Sequence, residues 1–351
     1  MAAPKIVIAT GGTAGHAVPA LAVADALRAD GAQVEFIGGD RAEATLVPQA
    51  GYPLHQLRVV LMPRRSVVGA ARAGAIDSFA VVSAARVLGR LRPDAVLGGG
   101  GYVSAPVGVA AALRRVPLVA MEIDGHLGMA NRLLAPLARR VCTALPLPEH
   151  TGAKFVVTGR PVPPVTVDRA AARARFGVTG DETLVVVFGG SQGARSINDA
   201  AIGGFADADF RVLHAAGDRD LPSLTAPREG YDLRGYIPEF MDALVASDLV
   251  VARSGGSIWE MCAAGKPSIL IPYPHATADH QTANARHLEE AGAAILIPDA
   301  QLTAAKLRQT VDDLLADPAR LKAMGEAALG LARPQAAYDV AQQVLAVASR
   351  P

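Results

Sequence analysis

The stretch from Arg253 to Asn284 gathers two glycines, a carboxylate, two histidines, a glutamine and an asparagine between apolar runs that read as buried strands. Arg253-Ser254-Gly255-Gly256-Ser257 follows Leu249–Ala252 and precedes Ile258–Ala264, a strand that turns through glycines into a helix. Such a turn leaves backbone N–H groups unpaired at the helix end, where the dipole adds partial positive charge, so a phosphate or diphosphate fits there. Glu260, on the first turn, has two readings: an acceptor for a ribose diol, as acids are in dinucleotide folds, or a carboxylate that only complements the dipole. After a second apolar run, Ser268–Pro272, the side chains of His280, Gln281 and Asn284 fall on one helical face and suit a reader of sugar hydroxyls. His275, Asp279 and His280 are separated by loop-like residues, which does not favour a metal site.

These groups need strands and helices to hold them. Lys5–Thr10 is an apolar run ending in Gly11-Gly12-Thr13-Ala14-Gly15-His16, and Pro19 is expected to open the helix Ala20–Leu27. Thr183–Phe188 likewise runs into Gly189-Gly190-Ser191-Gln192-Gly193-Ala194-Arg195. A strand, a Gly-Gly-Thr/Ser-x-Gly loop and a helix therefore occur once per half, and the expected fold class is α/β, with two Rossmann-like parallel-sheet domains facing a cleft. The first loop lacks the G-x-G-x-x-G spacing that a nicotinamide dehydrogenase has in its first turn. Four glycines, Gly98–Gly101, precede Tyr102; they cost backbone entropy and offer little to pack, which points to close approach by a ligand. Past the strand Leu118–Met121, the residues Glu122, Asp124, His126 and Asn131 gather where open α/β sheets bind ligands. Gly159–Pro164 is proline-rich and reads as a linker, giving domains over 1–160 and 165–334, with 335–351 a last helix returning to the first domain.

At 351 residues, 51% of them hydrophobic and 4% aromatic, the chain has the length and composition of a two-domain α/β protein. Two distant cysteines, Cys142 and Cys262, indicate neither a disulfide framework nor a zinc ribbon and suit a reducing cytoplasm. No basic flank and apolar core of a secretory leader precede the first glycine loop, and the apolar segment from Val67 to Gly89 is broken by Arg72, Asp77 and Arg86, too polar to span a bilayer. Residues 1–150 hold 15 Lys and Arg against 10 Asp and Glu, whereas 151–351 hold 19 against 23. No basic run with interleaved aromatics appears, so nucleic acid is not an expected partner. From Arg58 to Arg92, seven arginines, among them Arg64, Arg65 and Arg72, mix with apolar residues against the single acid Asp77. That pattern suits a helical surface lying on anionic lipid headgroups, or else two core-packed helices with solvated arginines.

Taken together, Gly11–His16, Gly100–Ser104, Asn131-Arg132-Leu133-Leu134-Ala135, Gly189–Arg195 and Pro272–Ala285 closely resemble the MurG family, the peptidoglycan N-acetylglucosaminyltransferases. The resemblance runs in order over nearly the whole chain. It implies a GT-B fold and an inverting hexosyl transfer of GlcNAc from UDP-GlcNAc to undecaprenyl-pyrophosphoryl-MurNAc-pentapeptide. It further implies no cofactor or metal, a peripheral place on the cytoplasmic face of the bacterial membrane, and a part in peptidoglycan synthesis, cell shape and division beside other cell-wall synthesis proteins. By the same resemblance Ser191 and Gln192 serve the diphosphate, Ile237 the uracil, Gly255, Gly256 and Ser257 the phosphates, Glu260 the ribose, and His280, Gln281 and Asn284 the GlcNAc. Thr13, Ala14 and Gly15, with Asp124 and Arg160, are donor contacts on the acceptor-facing domain, and His16, Gly100, Gly101, Tyr102, His126 and Asn131 belong to the acceptor side. His16 leads as catalytic base, with Asp124 and Glu122 behind it. Three departures mark this chain: Met121-Glu122-Ile123-Asp124 replaces the family's His-Glu-Gln-Asn, Gly159-Arg160-Pro161-Val162-Pro163 replaces Gly-Asn-Pro-Val-Arg, and the segment from Arg253 to Glu260 is one residue shorter. The rival readings are a glycosyltransferase of this fold with another lipid or natural-product acceptor, a UDP-GlcNAc 2-epimerase, and a non-catalytic binder of UDP-sugar.

Overall fold

Strands buried on both faces read as unbroken aliphatic runs because a parallel sheet carries helices above and below, and Leu184–Phe188 and Leu249–Ala252 are buried along their whole length. The computed structural model describes residues 3–59, 67–190, 193–276 and 279–349, the helix over 67–78 by its backbone alone. It divides into two compact units, Met1–Pro163 with Arg333–Pro351, and Pro164–Ala332.

In the first unit β1 (Lys5–Ala9), β2 (Gln33–Gly38), β3 (Leu54–Gln56), β4 (Ala95–Gly98), β5 (Leu118–Glu122), β6 (Arg140–Thr143) and β7 (Phe155–Val157) form a parallel sheet in the order β3-β2-β1-β4-β5-β6-β7. The order reverses between β1 and β4, and that switch point is where an open sheet leaves a crevice at its carboxyl edge. Helices α1 (Ala14–Ala29) and α2 (Ala42–Gln49) follow β1 and β2; α3 (Val67–Leu91), α4 (Ser104–Leu113) and α5 (Met129–Leu134) complete the crossovers. Val87 and Leu88 of α3, Val107 of α4 and Leu134 of α5 cover one sheet face, packing on Val7 and Val96.

The second unit repeats the winding. Strands β8 (Leu184–Phe188), β9 (Arg211–Ala215), β10 (Tyr231–Arg234), β11 (Leu249–Ala252), β12 (Ser268–Leu270) and β13 (Ala294–Leu296) lie parallel in the order β10-β9-β8-β11-β12-β13, with the switch point between β8 and β11. Its helices are α6 (Arg169–Arg175), α7 (Arg195–Gly204), α8 (Phe240–Ala246), α9 (Ile258–Ala263), α10 (His280–Glu290), α11 (Ala304–Leu315) and α12 (Pro318–Leu331). Local sequence sets several starts: Asp168, Thr303 and Asp317 accept from the backbone N–H three residues on and cap α6, α11 and α12. The last helix, α13 (Ala336–Ala348), belongs to the first unit, where Val340, Val344 and Val347 join Val23 and Leu27 of α1 beneath the other sheet face.

Three expectations need correction. Helix α1 begins at Ala14, so Pro19 lies inside it instead of opening it. A proline there lacks the N–H that would bond the carbonyl four residues back, which is that of Gly15; the Arg160 guanidinium Nη2 donates to that carbonyl at 2.8 Å and stands in for the missing bond. The linker holds the boundary between the units, at Pro163–Pro164, but its start is packed into the first unit. Gly159 has φ +86°, a Cβ on it would lie 2.5 Å from Arg333 Cβ, and Arg160 is only 5% exposed. Finally, the backbone from Val67 to Leu91 is one helix and not two; Arg64 and Arg65, and the side chains of Arg72 and Asp77, lie outside the described residues.

Candidate functional site

In each unit the sequence-expected residues follow strands at or near the switch point. In the first, Gly11–His16 leaves β1, Gly99–Ser104 leaves β4 and Glu122–Asn131 spans the end of β5 and the start of α5. The glycine run after β4 has a packing cause that its sequence did not disclose. A Cβ on Gly101, at φ +77°, would meet the Gly11 carbonyl oxygen at 1.7 Å; one on Gly100 would meet the His16 ring at 2.8 Å, and one on Gly99 would meet Ala20 at 3.2 Å. The two glycine loops interlock, and the glycines are needed for that before any ligand arrives. Gly101→Ala is therefore expected to cost about 3 kcal/mol or more in a denaturant melt. Gly31→Ala, equally positive in φ at +83° but with nothing within 4 Å, is expected to cost only about 1 kcal/mol.

His16 is the third residue of α1, half-buried, and its Nδ1 is buried with no hydrogen-bond partner among the described residues. Burial pulls its pKa below the ordinary value of 6.5; the neighbouring Asp124 and Glu43 carboxylates oppose that and the Arg160 guanidinium reinforces it. An imidazole so placed is neutral at physiological pH and able to take a proton. Arg160 donates from Nη1 to the Ile123 carbonyl at 3.1 Å and from Nη2 to Gly15, with the half-exposed Asp124 carboxylate 3.9 Å away. It clamps the first turn of α1 to the loop after β5. Glu122 is buried with both oxygens engaged: Oε1 accepts from the Asp124 N–H, Oε2 from the Gly128 N–H at 2.7 Å and from Asn131 Nδ2 at 2.9 Å. Burial pushes its pKa up and those three donors pull it down. Asn131 also donates to the Met121 carbonyl, while its Oδ1 has no partner among the described residues. His126 is half-buried in the same loop, and Thr13 is the exposed, extended residue ahead of α1. The structure thus brings His16, Asp124 and Arg160 together and sets Glu122 and Asn131 behind them. Glu43, which sequence reasoning passed over, lies fully buried beside them.

In the second unit Gly193 has φ +71°, and a Cβ there would lie 2.1 Å from the Ala216 carbonyl oxygen, so the loop after β8 rests on the end of β9. Ser191 and Gln192 lie outside the described residues. Beneath the loop, buried His214 links Tyr231 Oη at 2.8 Å to Asn198 Oδ1 at 3.1 Å, and burial lowers its pKa to about 4. After β11, Ser254 Oγ donates to the Gln281 carbonyl, Asn284 Nδ2 donates to the Ser254 carbonyl at 3.0 Å, and Gln281 Oε1 accepts from the Tyr273 N–H. Gln281 and Asn284 therefore knit the start of α10 to the loop holding Gly255, Gly256 and Ser257. Glu260 is half-buried on the six-residue helix α9, and His280 is half-buried as the first residue of α10. Ile237 is 1% exposed, so what it can offer a base is its backbone. Arg253, 8% exposed, anchors the whole edge through the Ile271 and Pro272 carbonyls, the Asp299 carboxylate and Ser196 Oγ.

Residues 6–143 match the glycosyltransferase family 28 N-terminal domain, and residues 184–344 match the glycosyltransferase family 28 C-terminal domain. Two relatives carry the name UDP-N-acetylglucosamine–N-acetylmuramyl-(pentapeptide) pyrophosphoryl-undecaprenol N-acetylglucosamine transferase. That of Moorella thermoacetica is 39% identical over 97% of this chain and 98% of its own, and that of Salinibacter ruber 41% identical over 99% and 98%. Among solved structures, Acinetobacter baumannii MurG superposes with a TM-score of 0.75 at 27% identity, covering 98% of this chain and all of that one. With both halves matched and relatives aligned from end to end, the chain belongs to the MurG family of glycosyltransferases.

Proposed function

We propose that this chain transfers GlcNAc from UDP-GlcNAc to the 4-hydroxyl of MurNAc in undecaprenyl-pyrophosphoryl-MurNAc-pentapeptide, in one inverting displacement without a metal. The hydroxyl oxygen attacks the anomeric carbon of the α-linked sugar, the bond to the diphosphate oxygen breaks, UDP leaves, and the new linkage is β. The observation that carries the reading is His16, an imidazole whose pKa burial lowers and whose buried Nδ1 has no partner among the described residues, held between two interlocked glycine loops at the switch point of its sheet. It takes the hydroxyl proton. Asp124 stabilises the imidazolium that results, and Arg160 holds the turn that carries His16. Glu122, with both oxygens occupied, holds the loop. Thr13, Ala14 and Gly15, with Gly100, Gly101, Tyr102, His126 and Asn131, contribute on the first unit.

In the second unit the backbone N–H groups around Gly255, Gly256 and Ser257 receive the diphosphate charge, Glu260 the ribose, the Ile237 backbone the uracil, and His280, Gln281 and Asn284 the sugar. Purified protein with UDP-GlcNAc and a soluble short-prenyl acceptor analogue in EDTA is expected to release UDP only when acceptor is present and to yield a β-1,4-linked disaccharide. Release that needs no acceptor, or interconversion of the free nucleotide sugar, would refute the assignment.

The acceptor's lipid tail calls for a membrane surface, and the chain works at one without spanning it. No helix among the described residues is long and apolar enough to cross a bilayer. On the first unit Phe79, Leu113 and Met129 are 74%, 72% and 78% exposed, on α3, the end of α4 and the start of α5, and α4 packs against both neighbours. Exposed Arg86, Arg90 and Arg132 lie on the same helices. Exposed apolar side chains and arginines spread over this helical layer suit contact with anionic headgroups, each arginine adding about 1 kcal/mol near the surface. Phe79→Asp with Leu113→Asp is expected to weaken partitioning onto anionic vesicles by about tenfold or more, leaving turnover of the soluble acceptor unchanged.

A further inference from the structure

Under the loop that carries His16 sits a carboxylate that no sequence motif singled out. Glu43, in the first turn of α2, is fully buried. Its Oε2 accepts from the Gly12 N–H at 2.9 Å; its Oε1 accepts from the Gly39 N–H at 2.9 Å, the Arg41 N–H at 3.4 Å and the Tyr102 hydroxyl at 3.3 Å. All four partners donate, so both carboxylate oxygens act as acceptors. Burying a carboxylate is costly unless donors surround it, and here they come from three different loops.

The glycines nearby are shaped to it. A Cβ on Gly11 would lie 3.2 Å from Glu43 Oε1, one on Gly38 2.9 Å from its Cγ, and one on Gly39 2.9 Å from Oε1 and 1.9 Å from the Tyr102 hydroxyl oxygen. Gly12 itself has φ +125°, and a Cβ there would lie 3.8 Å from His16 Nδ1. The Gly12 carbonyl in turn accepts from the Ala42 N–H at 3.3 Å. One carboxylate therefore joins the loops after β1, β2 and β4 beside the imidazole.

We infer that Glu43 is a positioning residue for the transfer reaction, fixing the Gly11–Thr13 loop and Tyr102 around His16 and lending its negative charge to proton uptake there. The inference rests on His16 being the base. Three charged groups face that imidazole: Glu43 from α2, Asp124 from the loop after β5, and Arg160 from the segment after β7. The two carboxylates favour the protonated ring and the guanidinium opposes it.

Glu43→Gln keeps the volume but turns an N–H₂ toward Gly12 or Gly39, leaving one backbone donor facing another. With the soluble acceptor analogue, kcat/KM is expected to fall by about 10²-fold as the loop shifts, while the Kd for UDP-GlcNAc measured without acceptor, carried mainly by the second unit, changes by about tenfold less than that. The acid limb of kcat/KM moves to lower pH, since loss of a nearby negative charge lowers the proton affinity of His16. Gly39→Ala introduces a Cβ into the Tyr102 hydroxyl and the carboxylate at a position without positive φ; it is expected to lower the same constant by about tenfold or more.

Wild-type protein that releases no UDP with acceptor overturns the underlying assignment. Active wild type with both variants within about threefold of it overturns the role of Glu43 alone. A fall in kcat/KM with the acid limb unmoved overturns it too, leaving Glu43 a scaffold residue. If Glu43→Gln is recovered only unfolded, Gly39→Ala decides.

Discussion

Turnover with a soluble acceptor is expected to fall by about 10² to 10⁴-fold in His16→Ala, the range a positioned general base contributes, with UDP-GlcNAc binding retained. The pH profile separates this from simple damage. Burial holds the His16 pKa below 6.5, against the pull of Asp124 and Glu43, and the base works unprotonated. Activity in wild type is therefore expected to persist as pH falls through 6.5 and to be lost only below it, as the ring protonates. Asp124→Asn removes a charge that favours the imidazolium, so its acid limb moves to still lower pH and its kcat falls because the transition state loses the same support. The residual rate of His16→Ala loses that limb altogether. A fall of less than about tenfold in His16→Ala would remove the base assignment; an unchanged acid limb would reassign the limb to another group.

That imidazole depends on contacts far away in sequence. His16 lies one residue beyond Gly15, whose carbonyl would go unbonded above Pro19 if Arg160 did not reach it from 145 positions on. The guanidinium serves two ends at once. It completes the first turns of α1, and its charge adds to burial in lowering the proton affinity of the ring against the two carboxylates. The departure from the family's Gly-Asn-Pro-Val-Arg pattern thus has a structural use: the arginine at 160, with Asp124 opposite, links the first turn of α1 to the loop after β5.

The architecture was legible because strands covered on both faces leave unbroken aliphatic runs, and because each half opens with the same strand, glycine loop and helix. Observed strands begin or end within a residue or two of those runs, as at Leu184–Phe188 against Thr183–Phe188. The start of α1 was not legible. Pro19 carries a strong first-turn signal, whereas the true start at Ala14 has no side-chain cap and leans on Arg160. The glycine run after β4 was legible as unusual but not as to cause, since a ligand and a facing backbone ask for the same missing Cβ. Glu43 gave only the weak signal of an acid in a helix's first turn; its partners are mostly backbone N–H groups, which carry no sequence signature. Arg253 stood in plain view at the head of the site stretch, yet nothing local says that its partners lie on α7, past β12 and at Asp299.

That arginine gives the largest expected loss of stability in the second unit. The Arg253 guanidinium is nearly buried, donating from Nη1 to the Ile271 and Pro272 carbonyls and the Asp299 carboxylate, and from Nη2 to Ser196 Oγ at 2.9 Å; its Cζ lies over the Tyr273 ring, 5.5 Å from the centroid. Arg253→Ala leaves a partly buried carboxylate and two carbonyls without these donors, which costs about 3 kcal/mol. For a unit of this size that is roughly 6–12 °C in its unfolding temperature. Lysine does not restore it, because a single ammonium cannot span the fork between Ser196 and the carbonyls past β12. The loss reaches function through Ser196, in the first turn of α7, and through the loop of Gly255–Ser257 that begins two residues after Arg253. UDP-GlcNAc affinity in both variants is expected to weaken by about tenfold or more even well below the melt, whereas the pH profile set by His16 in the other unit stays where it is. Calorimetric melts with a UDP-GlcNAc titration on Arg253→Ala and Arg253→Lys test both halves: wild-type-like melting in the lysine variant would show that charge alone suffices, and unchanged affinity would detach Arg253 from the donor site.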